Sequence, residues 1–107
     1  MAGEQQLQTK ILEWLKAHGF WAIKVVVSSK TGTPDILACS PKGRFIAIEV
    51  KYGANKPSAL QSYNVSEVAK RGGIAFVTWD LQTVIYKLQG ELNEQTAKEK
   101  RGGTFLL

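Results

Sequence analysis

Along residues 3–18 the inward positions recur as Glu4, Leu7, Ile11, Trp14 and His18, a spacing of three and four that lines one stripe of a helix. Gly19 stands where a helix commonly stops in a left-handed residue, and residues 20–28 then run as a β-branched, aromatic strand. Residues 29–34, Ser-Lys-Thr-Gly-Thr-Pro, carry turn chemistry. Two short strands follow, 35–40 and 44–51, separated by Pro41, Lys42 and Gly43, which predicts a hairpin. After a loop over 52–56, Pro57 or Ser58 opens a second helix that runs to Arg71 and is closed by Gly72 and Gly73. A fourth strand covers 74–79, Asp80 caps a short helix through Leu88, and the chain from Gly90 is polar until Phe105, Leu106 and Leu107. The order α-β-β-β-α-β-α predicts an α/β fold, a small mixed sheet flanked by helices. A strand reached through a helix can lie parallel to an earlier one.

Length and composition narrow the possibilities without choosing a function. At 107 residues with 44% hydrophobic content the chain suits one domain with one ordinary core, spanning about 3–88 with a tail over 90–107. The lone Cys39 cannot make an intrachain disulfide, and the first ten residues lack the apolar run of a signal peptide, which predicts a cytoplasmic protein. The longest apolar run, 20–27, is interrupted by Lys24 and is far too short to span a bilayer. Fourteen Lys and Arg against nine Asp and Glu give a net charge of +5, which favours a polyanionic partner, nucleic acid first among them.

Candidate chemistry enters through polar residues at apolar positions. In 44–51, Ile46, Ile48 and Val50 occupy one face, so Phe45, Ala47, Glu49 and Lys51 share the other. Phe45 and Ala47 predict burial of that second face, which places a carboxylate and an ammonium at the edge of a core where unpaired charge is costly. Asp35, directly after Gly32, Thr33 and Pro34, can approach Glu49 across the hairpin. Two converging carboxylates repel unless a cation intervenes, and a site rich in oxygen with open water positions suits Mg²⁺. Glu4 is the one acid of the first helix's inward stripe, and Gln61 shares a side of the second helix with Val65 and Val68, so its amide needs a polar partner. Each residue also has an ordinary reading. Glu49 with Lys51 can be a strand-end ion pair, Pro34-Asp35 a turn, Glu4 a favourable first-turn acid and Gln61 a side chain bonded to backbone. His18 and Cys39 lack metal-finger spacing, no Gly-rich phosphate loop is present, and both residues read as structural.

The ordered set of Glu4 on a first helix, Gly32-Thr33-Pro34-Asp35, Ile48-Glu49-Val50-Lys51 and Gln61 on the next helix resembles the PD-(D/E)xK nuclease superfamily. Its form is similar to the VRR-NUC family of stand-alone phage and bacterial type. Archaeal-type Holliday junction resolvases are the next most similar group. The resemblance implies an endonuclease with a restriction-endonuclease-like core. In it Asp35, Glu49 and the Val50 carbonyl would hold Mg²⁺ or Mn²⁺, and Glu4 would complete the acidic cluster. Lys51 would position the attacking water, and Gln61 would orient water or phosphate. Symmetric cutting of a four-way junction needs two sites related by a two-fold axis, which predicts a homodimer acting on Holliday junctions or other branched DNA. Trp21, Tyr63, Trp79 and the 105–107 terminus are the apolar candidates for its interface. Two other classes remain consistent with the sequence: a nucleic-acid-binding module without catalysis, and an assembly protein of a mobile element that uses the 91–107 tail as a docking arm.

Overall fold

The computed structural model describes residues 2–92. Helix α1 (Ala2–Ala17) leads into β1 (Trp21–Lys24), β2 (Ile36–Cys39) and β3 (Phe45–Val50). Helix α2 (Ala59–Lys70), β4 (Ile74–Thr78) and α3 (Leu81–Leu88) follow, ending in a 3₁₀ turn at Gln89–Glu91. The sheet order is β1-β2-β3-β4, with the first two pairings antiparallel and β3-β4 parallel, as a helical crossover between neighbours permits.

Alternation along the strands assigns the layers. Ile36, Ala38, Ile46, Ile48, Val50 and Phe76 pack with Leu7, Ile11 and Leu15 of α1 and with Val84 and Leu88 of α3, forming the core on one face. Each fully buried aliphatic side chain there contributes about 1.5–3 kcal/mol. Helix α2 covers the opposite face over β3 and β4. The buried line of α1 runs through Leu7, Gln8, Ile11 and Leu15, rotated by one residue, just over a quarter turn, from the predicted Trp14 at its C-terminal end. Trp14 is only partly buried, stacked on exposed His18 at 4.3 Å, and the His18 Nδ1 lies 2.8 Å from the Trp14 carbonyl.

Two predicted elements change shape. Strand β1 stops at Lys24 instead of reaching Ser28: the last bond to β2 is Val25 N–H to the Asp35 carbonyl at 2.8 Å, and beyond it the chain enters a turn closed by Ser28 Oγ and Thr33 Oγ1 at 2.6 Å and by the Thr33 hydroxyl donating to the Lys30 carbonyl at 2.6 Å. Val26 and Val27 beyond it are exposed. Packing also continues past Leu88. Glu91 is 5% exposed, accepts the Ser40 hydroxyl at 2.6 Å and pairs with Arg44 at 3.3 Å, so this acid locks the β2-β3 turn instead of opening a solvated tail. The predicted apolar terminus at 105–107 lies outside the described residues.

Candidate active site

The hairpin register places Ile36 opposite Ile48, so Asp35, one residue before β2, falls opposite Glu49. Pro34 is buried and aims the chain into the strand. The Val50 N–H donates to Asp35 Oδ2 at 2.8 Å, fixing that carboxylate against β3. Glu49 points to the α2 face, its side chain 1% exposed, and Lys51 follows on the same face at 13%. The Lys51 Nζ lies 3.3 Å from Glu49 Oε2. The other Glu49 oxygen, Oε1, is buried without a partner among the described residues. Ala47 is fully buried on this face, whereas Phe45 is 48% exposed, because α2 covers the β3-β4 side of the sheet and leaves the start of β3 open.

Burial, then repulsion from Asp35, push the Glu49 carboxyl up to about 7, against the opposing pull of Lys51. The folded-state value therefore exceeds the 4.5 of the unfolded group, and the folded protein retains a proton that the unfolded chain releases first. Stability from this group is full below about 4.5, falls as pH rises towards 7 and is level above that, a loss of about 1–3 kcal/mol. In EDTA the wild-type protein is expected to melt several degrees lower at pH 8 than the Glu49→Gln variant, and the two to converge at pH 4. Equal melting temperatures of the two proteins at both pH values would contradict the buried, repelled carboxylate.

The remaining candidates sit around this centre. In α1, a Cβ on Gly3 would stand 2.5 Å from the Tyr52 ring, so the first helical turn abuts the residue after Lys51 and brings Glu4 to this end of the sheet. Among the described residues no three Asp, Glu, His or Cys side chains gather at metal-binding spacing, so Glu4 is at the rim and not a third member of the Asp35–Glu49 pair in this conformation. Gln61 is half-buried in the first turn of α2, where it completes a capping box: its Oε1 accepts the Ser58 N–H at 2.8 Å while Ser58 Oγ accepts the Gln61 N–H at 3.1 Å. Its backbone partner is thus an amide donor. Its side-chain nitrogen appears in no hydrogen bond among the described residues.

Sequence reasoning missed two polar residues. Asn64, 4% exposed and one turn beyond Gln61, donates its Nδ2 to the Thr31 carbonyl at 3.0 Å and so tethers to α2 the loop that ends in Asp35. Gly32 in that loop has φ +78°, and a Cβ there would meet Leu60 and Asn64 at 3.0–3.1 Å, so the close approach needs glycine. Gln8, 6% exposed and one turn beyond Glu4, keeps its Oε1 buried and unpartnered. The signal for both was a polar residue a turn away from another on an inward helical face.

Two carboxylates, one with an orphaned buried oxygen, suit a hard divalent cation that keeps part of its water shell. No family profile and no curated protein matches the sequence. Solved structures do. One titled "VRR_NUC domain" superposes with a TM-score of 0.70 at 28% identity, covering 85% of this chain and 98% of its own. Another, titled "VRR_NUC domain protein", gives a TM-score of 0.68 at 22% identity, covering 84% and 88%, and speaks for the fold alone. With its four-stranded mixed sheet between α1 and α3 on one side and α2 on the other, the chain shares the fold of these solved VRR_NUC domain structures.

Proposed function

We propose that the protein is a Mg²⁺- or Mn²⁺-dependent endodeoxyribonuclease of the PD-(D/E)xK type, acting on branched DNA and on four-way junctions first of all. The observation that carries this reading is the arrangement at Glu49: a buried carboxylate with one oxygen on Lys51 and the other unpartnered, facing Asp35, on a net-basic chain. A structural ion pair needs neither the second acid nor the orphaned oxygen. Asp35 and Glu49 would hold the cation together with the Val50 carbonyl, and when bound it polarises a phosphoryl oxygen and acidifies a water. Lys51, fixed by Glu49, orients the attacking water and stabilises charge developing on the phosphate. Gln61, with its side-chain nitrogen open, orients water or a phosphate oxygen, and Glu4 acts from the rim of the acidic pair. No described segment has the form of a helix-turn-helix or zinc module, and positive charge reads backbone and shape more than sequence.

A homodimer belongs to the same reading, since paired cuts across a junction need two sites at fixed separation. Trp21 and Trp79 are 64% and 43% exposed and available for such contacts. No helix among the described residues is long and apolar enough to cross a membrane. The reading is tested by offering four-way junction, flap, single strand and linear duplex at equal concentration with Mg²⁺. Preferential cutting of the junction is the expected result, and equal rates on junction and linear duplex would defeat the structure-selective part.

A further inference from the structure

A groove of about 480 Å³ runs between α2 and the part of the sheet that α2 leaves uncovered, with Lys30, Pro34, Leu37, Phe45, Tyr63 and Arg71 in its walls. Pro34 in its wall immediately precedes Asp35, and Leu37, also in its wall, lies on the Asp35 side of the sheet by alternation. The other end shares Phe45 and Arg71 with a shallower hollow of about 320 Å³ bordered by Lys42, Arg44, Gly72 and Gly73. The two form one path across the surface.

Its chemistry alternates. Phe45 and Tyr63 expose about half of their surface, 48% and 53%, over an apolar floor. Four cations, Lys30, Lys42, Arg44 and Arg71, line the path with one acid, Glu67. Glu67 pairs with Arg71 at 2.7 Å and with Lys70 at 3.2 Å, and Arg44 with buried Glu91, which leaves Lys30 and Lys42 without an acidic partner among the described residues. The charge presented outward is positive. A polyanion fits the cations, and the exposed aromatic rings narrow the choice, because a duplex keeps its base faces stacked internally while an unpaired strand offers them.

We propose that this groove seats an unpaired nucleic-acid strand leading to the Asp35–Glu49 pair, with bases stacking on Phe45 and Tyr63 and the backbone following Lys30, Arg71, Arg44 and Lys42. The inference rests on the nuclease reading for its purpose, and it selects branched substrates with an unpaired arm or opened centre over fully paired DNA.

The test is anisotropy of fluorescein-labelled oligothymidylate of about twelve nucleotides, within the usual span of single-strand sites, measured with the full chain in EDTA. Tyr63→Ala and Phe45→Ala, both at exposed positions, are each expected to weaken binding about tenfold, the scale of one lost base stack. Tyr63→Phe should bind as wild type, and duplex of the same length should change less than about twofold. Lys30→Ala should flatten the salt dependence by about 0.7 in log–log slope. Unchanged oligothymidylate binding in Tyr63→Ala, equal losses on duplex, or a dimer that becomes monomeric in light scattering on the same substitution would overturn the proposal, the last by showing that a second copy covers the face. Because EDTA removes catalysis from the assay, the two readings fail separately. If no DNA is cut with Mg²⁺ yet the aromatic variants lose oligothymidylate, the groove stands and the nuclease reading falls; if junctions are cut and Tyr63→Ala binds normally, the reverse holds.

Discussion

Asp35→Asn and Glu49→Gln are each expected to reduce Mg²⁺-dependent cleavage of a four-way junction to background while the protein stays folded. Both substitutions remove one negative charge from a pair that is costly to assemble without a cation. Their alanine counterparts should be equally inactive, but Asp35→Ala also strips the acceptor from the Val50 N–H, which leaves a β3 amide unsatisfied and costs about 1–3 kcal/mol. Asparagine keeps that acceptor, and its amide can donate to the orphaned Glu49 Oε1, so Asp35→Asn is expected to melt higher than wild type in EDTA. Lost activity with gained stability is the signature of acids kept for chemistry against the preference of the fold. Junction binding should persist in EDTA in both variants, since neither removes a cation. Substantial cleavage by pure Asp35→Asn or Asp35→Ala protein, checked by gel assay of a labelled junction, would remove the carboxylates from the site.

Lys51→Ala is expected to lower the cleavage rate by about 10²- to 10³-fold, the scale for deleting one oriented donor at a developing charge, with Mn²⁺ affinity retained. The ammonium sits 3.3 Å from Glu49 Oε2 and is 13% exposed, so its orientation is set by the protein and not by solvent. Removing it also removes the charge that holds the Glu49 carboxyl down, since burial and Asp35 both raise it. The variant should therefore still bind Mn²⁺, with a deficit relative to wild type that is larger at pH 6 than at pH 8. Single-turnover rates and calorimetric titration at the two pH values separate loss of chemistry from loss of metal. A rate unchanged at saturating Mn²⁺ would assign Lys51 to structure.

Much of the architecture was legible because its signals are local. The β2-β3 hairpin follows from alternation and the Pro41-Lys42-Gly43 turn, and the same two-residue period set Asp35 facing Glu49. Asp80 caps α3, with its side chain on the Thr83 N–H at 2.8 Å, whereas the capping box of Ser58 and Gln61 is not read from the sequence, because spacing makes Gln61 an inward amide. What else escaped was decided by distant partners. The burial of Glu91 depended on Ser40 and Arg44, some fifty residues away. Phe45 read as core because its alternation matches Ala47, but which end of a strand a helix covers is not written in the strand. Within the site, the pair and Lys51 came from one hairpin and could be inferred, whereas the distance of Glu4 depended on how α1 docks on Tyr52.

The most direct test of the metal centre is an anomalous difference map from crystals soaked in Mn²⁺ at pH 8. A peak within coordination distance of Glu49 Oε1, Asp35 and the Val50 carbonyl is the predicted result, with the peak absent in Asp35→Asn crystals treated the same way. A wild-type map with no peak there, or with Mn²⁺ bound only elsewhere while Glu49 remains paired to Lys51, would contradict it.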